Sequence, residues 1–374
     1  MLNIGIFLVM TGRQAGGPET YERCLVDSLS RVDSVNSYRT YSLDKSAPSL
    51  LPPVTERMHH KVFSTPLRAF STSVSLPLAM RRDRIDLLHA PFTPPPFSPR
   101  PYVFTHHCFS TFNHPEFYAP DILLRLNALL KVGLRNAVRT ICVSKCTLDL
   151  TADLFGLDRS RMEVVYNGVG KQYQPVERVA AAKRIASHYG IHTPYFLYVG
   201  KLESRKNIVR LLHAFARFRS QSNSECKLVL AGRRTSKSGG IDEAINELSL
   251  ADHVIELGYV ADADMPALYS AATCFLFPTL WEGFGIPVVE AMACATPVIT
   301  SNLSALPEVS GGAALLVNPY NVDDIAEAMA KICTDAALRD QLVAFGLVNA
   351  RRFDWDETAR QTLKIYDEAA ADQR

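Results

Sequence analysis

Two carboxylates, Glu282 and Glu290, bracket the stretch Gly283-Phe-Gly-Ile-Pro-Val-Val289. The apolar run 272–277 before them reads as a buried strand that ends at Pro278. A turn then carries Glu282-Gly-Phe-Gly285, and Pro287 stands where a helix should begin. Proline suits the first helical turn, because its missing N–H would have had no partner there. Strand, glycine-rich turn and helix N-terminus together present backbone N–H groups that can receive an anion. Glu282 sits before that turn and Glu290 is expected in the helix's first turn. A phosphate cradle flanked by two carboxylates that accept from hydroxyls suits a sugar nucleotide, whose pyrophosphate lies between a ribose and a sugar.

Other residues could complete such a site. Gly200-Lys-Leu-Glu-Ser-Arg-Lys-Asn207 follows an apolar run and precedes a helical one. Cations at Arg205 and Lys206 would neutralise a pyrophosphate both bound and leaving; a solvated basic loop is the alternative. His106-His107 follows the run 102–105, and adjacent side chains of an extended chain point to opposite faces, which disfavours joint metal ligation. At least one ring is expected to reach the crevice, where it could hydrogen-bond a hydroxyl or carry a proton; plain loop histidines are the alternative. Gly16-Gly17 after the first strand could let backbone approach a phosphate, although a plain turn fits equally. The dinucleotide fingerprint G-x-G-x-x-G is absent there, which counts against a dehydrogenase. Asp262-Ala-Asp264 and Asp354-Trp-Asp356 resemble metal-binding strings, but each precedes a helical run where aspartate is a natural cap. No metal is expected.

These residues need strands and helices to carry them. The runs 3–10, 85–90, 102–105, 139–143 and 162–166 alternate with helical stretches such as 19–31. A second series follows: 195–199, a helix from Asn207, 227–231, 254–257, 274–277 and 297–300. Such alternation argues for parallel sheets covered on both faces. Two series imply an α/β protein of two facing, doubly wound, Rossmann-like domains, with ligands in the crevice at the C-terminal ends of the strands. The boundaries expected are 1–172 and 173–354, followed by a last helix, 355–374.

The 374 residues suit two domains, and 47% hydrophobic with 21% charged residues is a globular composition. A formal net charge of +2 makes no demand for nucleic acid as a partner. The eight cysteines have no framework or zinc spacing and read as reduced thiols. The apolar start lacks a basic leader and a cleavage site, so a first strand is expected rather than a signal sequence. Between Leu123 and Arg139 a helical projection gathers Lys131, Arg135 and Arg139 on one side and leucines on another. That face could meet an anionic membrane; a core-packed helix with a solvated basic face is the commoner outcome.

Taken together, the chain resembles the family-4 retaining glycosyltransferases of GT-B fold, close to bacterial mannosyltransferase-type members that build surface polysaccharides. The likeness runs from Gly16-Gly17 to Asp354-Trp355-Asp356 and is most specific in Glu282-Gly-Phe-Gly-Ile-Pro-Val-Val-Glu290 with Ala305-Leu-Pro-Glu-Val309. It implies that Glu290 accepts from the donor ribose and that Glu282 contacts the donor sugar. Gly17, Gly200, Lys201, Phe284, Gly285, Ile286 and Val288 would line the donor, largely through backbone, and Lys206 with Arg205 would hold the pyrophosphate. His107 matches the histidine that touches the donor sugar, and the final helix would pack on the first domain. Four positions depart from the family pattern: Cys108 for the usual aspartate after the histidine, Lys201, Asn167-Gly-Val-Gly170, and Ala293-Cys-Ala295.

The resemblance implies transfer of a hexose from a nucleoside diphosphate sugar to a saccharide or lipid-linked acceptor. Anomeric configuration would be retained, and no cofactor or metal would be needed. Mannose from GDP-mannose is the specific expectation, in a cytoplasmic protein that visits the inner membrane face in lipopolysaccharide or exopolysaccharide synthesis. A nucleotide-sugar epimerase of the same fold and an inactive partner subunit are the alternatives.

Overall fold

The computed structural model describes residues 1–63, 70–222, 224–235 and 238–372. The chain forms two compact units, Met1–Gly168 with Asp354–Arg374, and Val169–Phe353. The sequence reading puts the exchange at 172/173, and positions 373–374 of its final helix lie outside the described residues.

The first unit is built on seven parallel strands in the order β3-β2-β1-β4-β5-β6-β7. They are β1 (Asn3–Leu8), β2 (Ser37–Ser42), β3 (Met58–Val62), β4 (Leu87–Ala90), β5 (Tyr102–His106), β6 (Arg139–Cys142) and β7 (Met162–Val164). Residues 4–8 of β1 are all buried, as expected of a central parallel strand with both faces covered. Neither β2 nor β3 is visible in the apolar pattern. In β2, Ser-Tyr-Arg-Thr-Tyr-Ser, the buried side chains are largely polar, and those of Thr40 and Tyr41 find partners further along the chain. Tyr41 donates to Asp83 at 3.1 Å, and Thr40 bonds His60 at 2.8 Å. β3 is the edge, and only its first residue, Met58, is fully buried.

The second unit has six parallel strands in the order β10-β9-β8-β11-β12-β13. They are β8 (Tyr195–Val199), β9 (Lys227–Ala231), β10 (Val254–Gly258), β11 (Cys274–Phe277), β12 (Val298–Ser301) and β13 (Leu315–Val317). From β8 the sheet grows outward through β9 and β10, then in the opposite direction through β11, β12 and β13. The boundary between β8 and β11 is therefore the topological switch point, where open α/β sheets bind ligands. The three-residue β13 is a further strand that the apolar pattern does not announce.

Helix Trp355–Ala371 belongs to the first unit, as the resemblance implies, and packs against helix Gly17–Val32. Asp354 caps it, accepting from the Asp356 N–H at 2.9 Å. Helix Pro120–Asn136 departs from the core-packed expectation: only Gly133 and Leu134 are buried, and Leu124 is 76% exposed. Arg139 is not on that helix at all. It opens β6, and its guanidinium meets Asp372 at 2.7 Å.

Candidate active site

In the second unit the switch point gathers three of the residues expected to do chemistry. The segment after β8 makes a 3-10 turn, Ser204–Lys206, and Asn207 then adopts φ +66° before helix Ile208–Gln221. Asn207 is buried, and its Nδ2 donates to the carbonyls of Pro278 (2.9 Å) and Pro319 (2.7 Å). Its side chain thus ties this loop to the one leaving β11. The Leu280 N–H closes the same junction on the Arg205 carbonyl at 3.1 Å.

Across that junction both cations reach Glu282. Arg205 Nη1 donates to Glu282 Oε1 at 3.1 Å and to the Trp281 carbonyl at 2.6 Å, while its Nη2 meets Glu203 at 2.9 Å. Lys206 Nζ donates to the same Oε1, and it lies over the Phe277 ring, 5.0 Å from the centroid. Phe277 in turn stacks on Tyr198, whose hydroxyl donates to the Lys201 carbonyl at 3.1 Å.

The charges set one another. Burial raises the Glu282 carboxyl, but Lys206 and Arg205 outweigh it and hold the group below the ordinary carboxylate range. Burial, assisted by the like charge of Arg205, pulls the Lys206 ammonium below its ordinary value despite Glu282. Two cations and two carboxylates thus balance one another in a part-buried cluster.

Two glycines shape the floor of the site. Gly232, leaving β9, has φ +154°, and a Cβ there would lie 1.8 Å from the Gly200 carbonyl oxygen. Gly285 has φ +102° at the start of helix Ile286–Ala293, with Leu306 2.7 Å from where a Cβ would be. The side chains of Phe284, Ile286 and Val288 are buried, so what they offer a ligand is backbone. Phe284 packs edge-on against Phe353, centroids 5.4 Å apart.

Glu290 lies in the second turn of that helix, not the first. It does not join the Glu282 cluster. It is buried, accepts from the Tyr269 hydroxyl at 2.9 Å and also bonds Tyr173, and burial pushes its carboxyl up to about 7 against these two donors. Both tyrosines escaped the sequence reading, since each looks like ordinary core filling until its hydroxyl is traced.

In the first unit the two adjacent histidines part company. His106 ends β5 and turns inward, its ring nitrogens meeting Thr151 (3.0 Å) and the Cys108 carbonyl (3.2 Å). His107 stands beyond the strand's end, Nε2 2.6 Å from the Pro91 carbonyl oxygen. Burial pulls His107 down to about 4, so its ring is neutral near pH 7. A carbonyl can only accept; Nε2 therefore carries the proton and Nδ1 is the ring's acceptor. The Cys108 Sγ accepts from the Ser110 N–H at 3.4 Å.

Gly16 (φ +74°) precedes helix Gly17–Val32, and a Cβ at either Gly16 or Gly17 would meet open space. The loop before them is held from the same helix. Glu22 accepts from the N–H groups of Val9 (2.9 Å), Met10 (3.0 Å) and Thr11 (2.8 Å), and Glu19 from those of Gly12 (2.9 Å) and Ala15 (2.7 Å).

The two D-x-D strings divide. Asp354 is a cap as expected, but the Asp264 carboxylate does not cap its own helix. It accepts from Arg184 Nε (2.6 Å) and the Tyr189 hydroxyl (2.8 Å), joining helix Arg178–Tyr189 to Met265–Ala271. Among the described residues there is no cluster of three or more His, Cys, Asp or Glu that could hold a metal ion. Among them, too, no helix is long and apolar enough to cross a membrane.

Comparison with known proteins identifies the family and the fold. Residues 16–172 match the family described as Glycosyltransferase Family 4, and residues 187–346 match Glycosyl transferases group 1. The chain is 31% identical over 264 residues to O-antigen chain mannosyltransferase B of Escherichia coli, covering 71% of this chain and 69% of that one. It is 28% identical over 265 residues to the serotype-specific mannosyltransferase WbdA of Escherichia coli, covering 67% of this chain but only 30% of that longer protein. Among solved structures, sucrose-phosphate synthase from Thermosynechococcus elongatus superposes with a TM-score of 0.81 at 22% identity, over 99% of this chain and 100% of the other. The chain belongs to family 4 of the glycosyltransferases, retaining enzymes of GT-B fold.

Proposed function

We propose that this glycosyltransferase moves a mannosyl group from GDP-mannose to a saccharide or lipid-linked saccharide in surface polysaccharide synthesis. One observation carries the donor reading: Lys206, Arg205 and Glu282 converge at the switch point of one sheet, beside the helix that bears Glu290. A sugar diphosphate would draw the two cations away from Glu282, which would then be available to hydroxyls of the donor sugar. Glu290 would accept from the ribose, and the backbone around Gly200, Lys201, Phe284, Gly285, Ile286 and Val288 would follow the diphosphate and sugar. By the family resemblance, Gly17 and Nδ1 of His107 would also contact the donor. The names of the E. coli relatives support mannose as the sugar.

Bond changes follow from retention without a covalent enzyme intermediate. The acceptor oxygen bonds the anomeric carbon on the face from which the diphosphate departs. The acceptor's proton passes to a leaving phosphate oxygen, and Lys206 with Arg205 stabilises the departing charge. This scheme asks for no metal. Exposed Leu124, Lys131 and Arg135 on helix Pro120–Asn136 support contact with an anionic membrane surface, which would place the work at the cytoplasmic face.

A thermal-shift panel of GDP, UDP, dTDP and ADP on the wild type and Glu290→Ala tests the donor. A ligand at 100 times its Kd adds about 2.7 kcal/mol to the state it binds. GDP is expected to stabilise the wild type and to lose that effect in Glu290→Ala. Stabilisation by another nucleotide alone would replace the donor, and no shift with any of them would remove the sugar-nucleotide reading.

A further inference from the structure

We infer that Tyr21 is a positioning residue for His107, itself held in place by a buried hydroxyl–imidazole chain that ends in the C-terminal helix. The inference rests on the proposed role of His107 at the donor sugar and supplies what orients its ring where Cys108 replaces the family's aspartate.

The fully buried Tyr21 ring stands edge-on to the His107 ring, centroids 4.6 Å apart at 83°. Its other neighbour is Trp355, the first residue of the C-terminal helix, at 5.8 Å and 69°. Phe92 covers His107 at 5.8 Å. With the Pro91 carbonyl fixing Nε2, the ring is held at one nitrogen and against two aromatic walls. Only the Tyr21 wall is anchored behind by hydrogen bonds into the core. The Tyr21 hydroxyl lies 3.1 Å from Thr105 Oγ1, which lies 2.8 Å from His89 Nε2; His89 Nδ1 lies 2.6 Å from the Tyr366 hydroxyl. Tyr21, Thr105, His89 and Tyr366 are all fully buried.

His89 makes this chain rigid. Burial drives it down to about 3, so it is neutral, with one ring nitrogen donating and the other accepting. Either tautomer satisfies both neighbours, provided each hydroxyl turns accordingly. Buried networks of this kind hold only when every member is satisfied, and removing one leaves an unpaired polar group. The C-terminal helix thus supplies two of the groups behind His107: Trp355 against the Tyr21 ring and Tyr366 at the end of the chain.

Steady-state kinetics and histidine-labelled NMR of the full chain test the inference, with variants Tyr21→Leu, Tyr21→Phe, Tyr366→Phe and His107→Ala, each checked for folding by thermal unfolding. In the wild type, His107 is expected as a single neutral tautomer protonated at Nε2. Tyr21→Leu should mix the tautomers, move the His107 titration up toward about 6.5, and lower kcat by about 10-fold or more with little change in donor KM. Tyr21→Phe keeps the ring but cuts it from the chain, and should shift the His107 signal in the same direction as Tyr21→Leu by a smaller amount. Tyr366→Phe, the milder cut should Tyr21→Leu fail to fold, should shift the His107 signal in the same direction. Folded Tyr21→Leu or Tyr366→Phe protein with the wild-type His107 spectrum would overturn the inference. Full turnover in His107→Ala would instead overturn the role given to His107, and the spectra would still decide whether Tyr21 sets its ring.

Discussion

At the scale of residues, the site turns on one oxygen. Glu282 Oε1 receives both Arg205 and Lys206. Lys206 is the more telling of the two cations. Arg205 is also bound to Glu203 and the Trp281 carbonyl, whereas the ammonium meets Glu282 and the Phe277 ring, and burial already disfavours its charge. A departing diphosphate would recover that cost in the transition state, which is what electrostatic catalysis requires. Lys206→Ala is expected to lower turnover by about 10²–10³-fold with a smaller change in donor KM. Steady-state kinetics check this, and near-normal turnover would remove Lys206 from the mechanism. Arg205 and Lys206 were legible as cations in the sequence. Their shared carboxylate was not, because nothing in a linear string says that residues 76 and 77 positions apart will meet.

Elements hold these residues through backbone as much as through side chains. The loop after β8 is pinned by the Gly200 N–H on the Ala231 carbonyl (2.9 Å) and the Leu202 N–H on the Arg233 carbonyl (2.9 Å). That proximity of two chain segments is why position 232 is glycine. A Gly232→Ala methyl would lie 1.8 Å from the Gly200 oxygen at a φ that L-residues avoid. The substitution is expected to cost about 1–3 kcal/mol of stability and to push the Arg205–Lys206 turn out of register, lowering activity beyond the stability loss. Denaturant unfolding with kinetics at a permissive temperature checks both, and a variant of wild-type stability and rate would show that the approach is looser than drawn. The strands flanking this loop were readable as apolar runs, being buried on both faces. β2 was not, since a strand whose tyrosine and threonine side chains find polar partners in the tertiary structure carries no apolar signature, and β3 was not, being an edge strand with one buried residue.

Across the whole molecule, each unit has a buried carboxylate that uncharged donors hold, Glu22 in the first and Glu290 in the second. Desolvation raises both to about 7 from an ordinary 4.5, outweighing the hydrogen bonds that each accepts. A folded-state value above the unfolded one means that the folded chain holds the proton more tightly. The associated stability is fully present below about pH 4.5 and is lost as pH rises through 7. Thermal unfolding is therefore expected to move to lower temperature between pH 6 and 8, with Glu22→Gln and Glu290→Gln each flattening the dependence. A wild-type curve that is flat or rises over this interval would contradict the assignment. The same ionisation should tighten nucleotide binding as pH rises, if Glu290 accepts from the ribose.

What the sequence determined by itself is local and periodic. The apolar runs, Pro287 before a helix and Gly-Phe-Gly ahead of it dictate strand, turn and helix, and their order dictates parallel sheets, because each strand must cross over to reach the next. The motif residues were readable in the string, and their family followed from resemblance. The tertiary structure decided which polar groups became partners. It placed Asp264 on a neighbouring helix rather than its own, hid Glu290 between two tyrosines, and backed His107 with a chain from Tyr366. Burial is the physical reason: it fixes the charge of a carboxylate or an imidazole and forces each buried polar atom to find a partner, and it exists only once distant segments have packed.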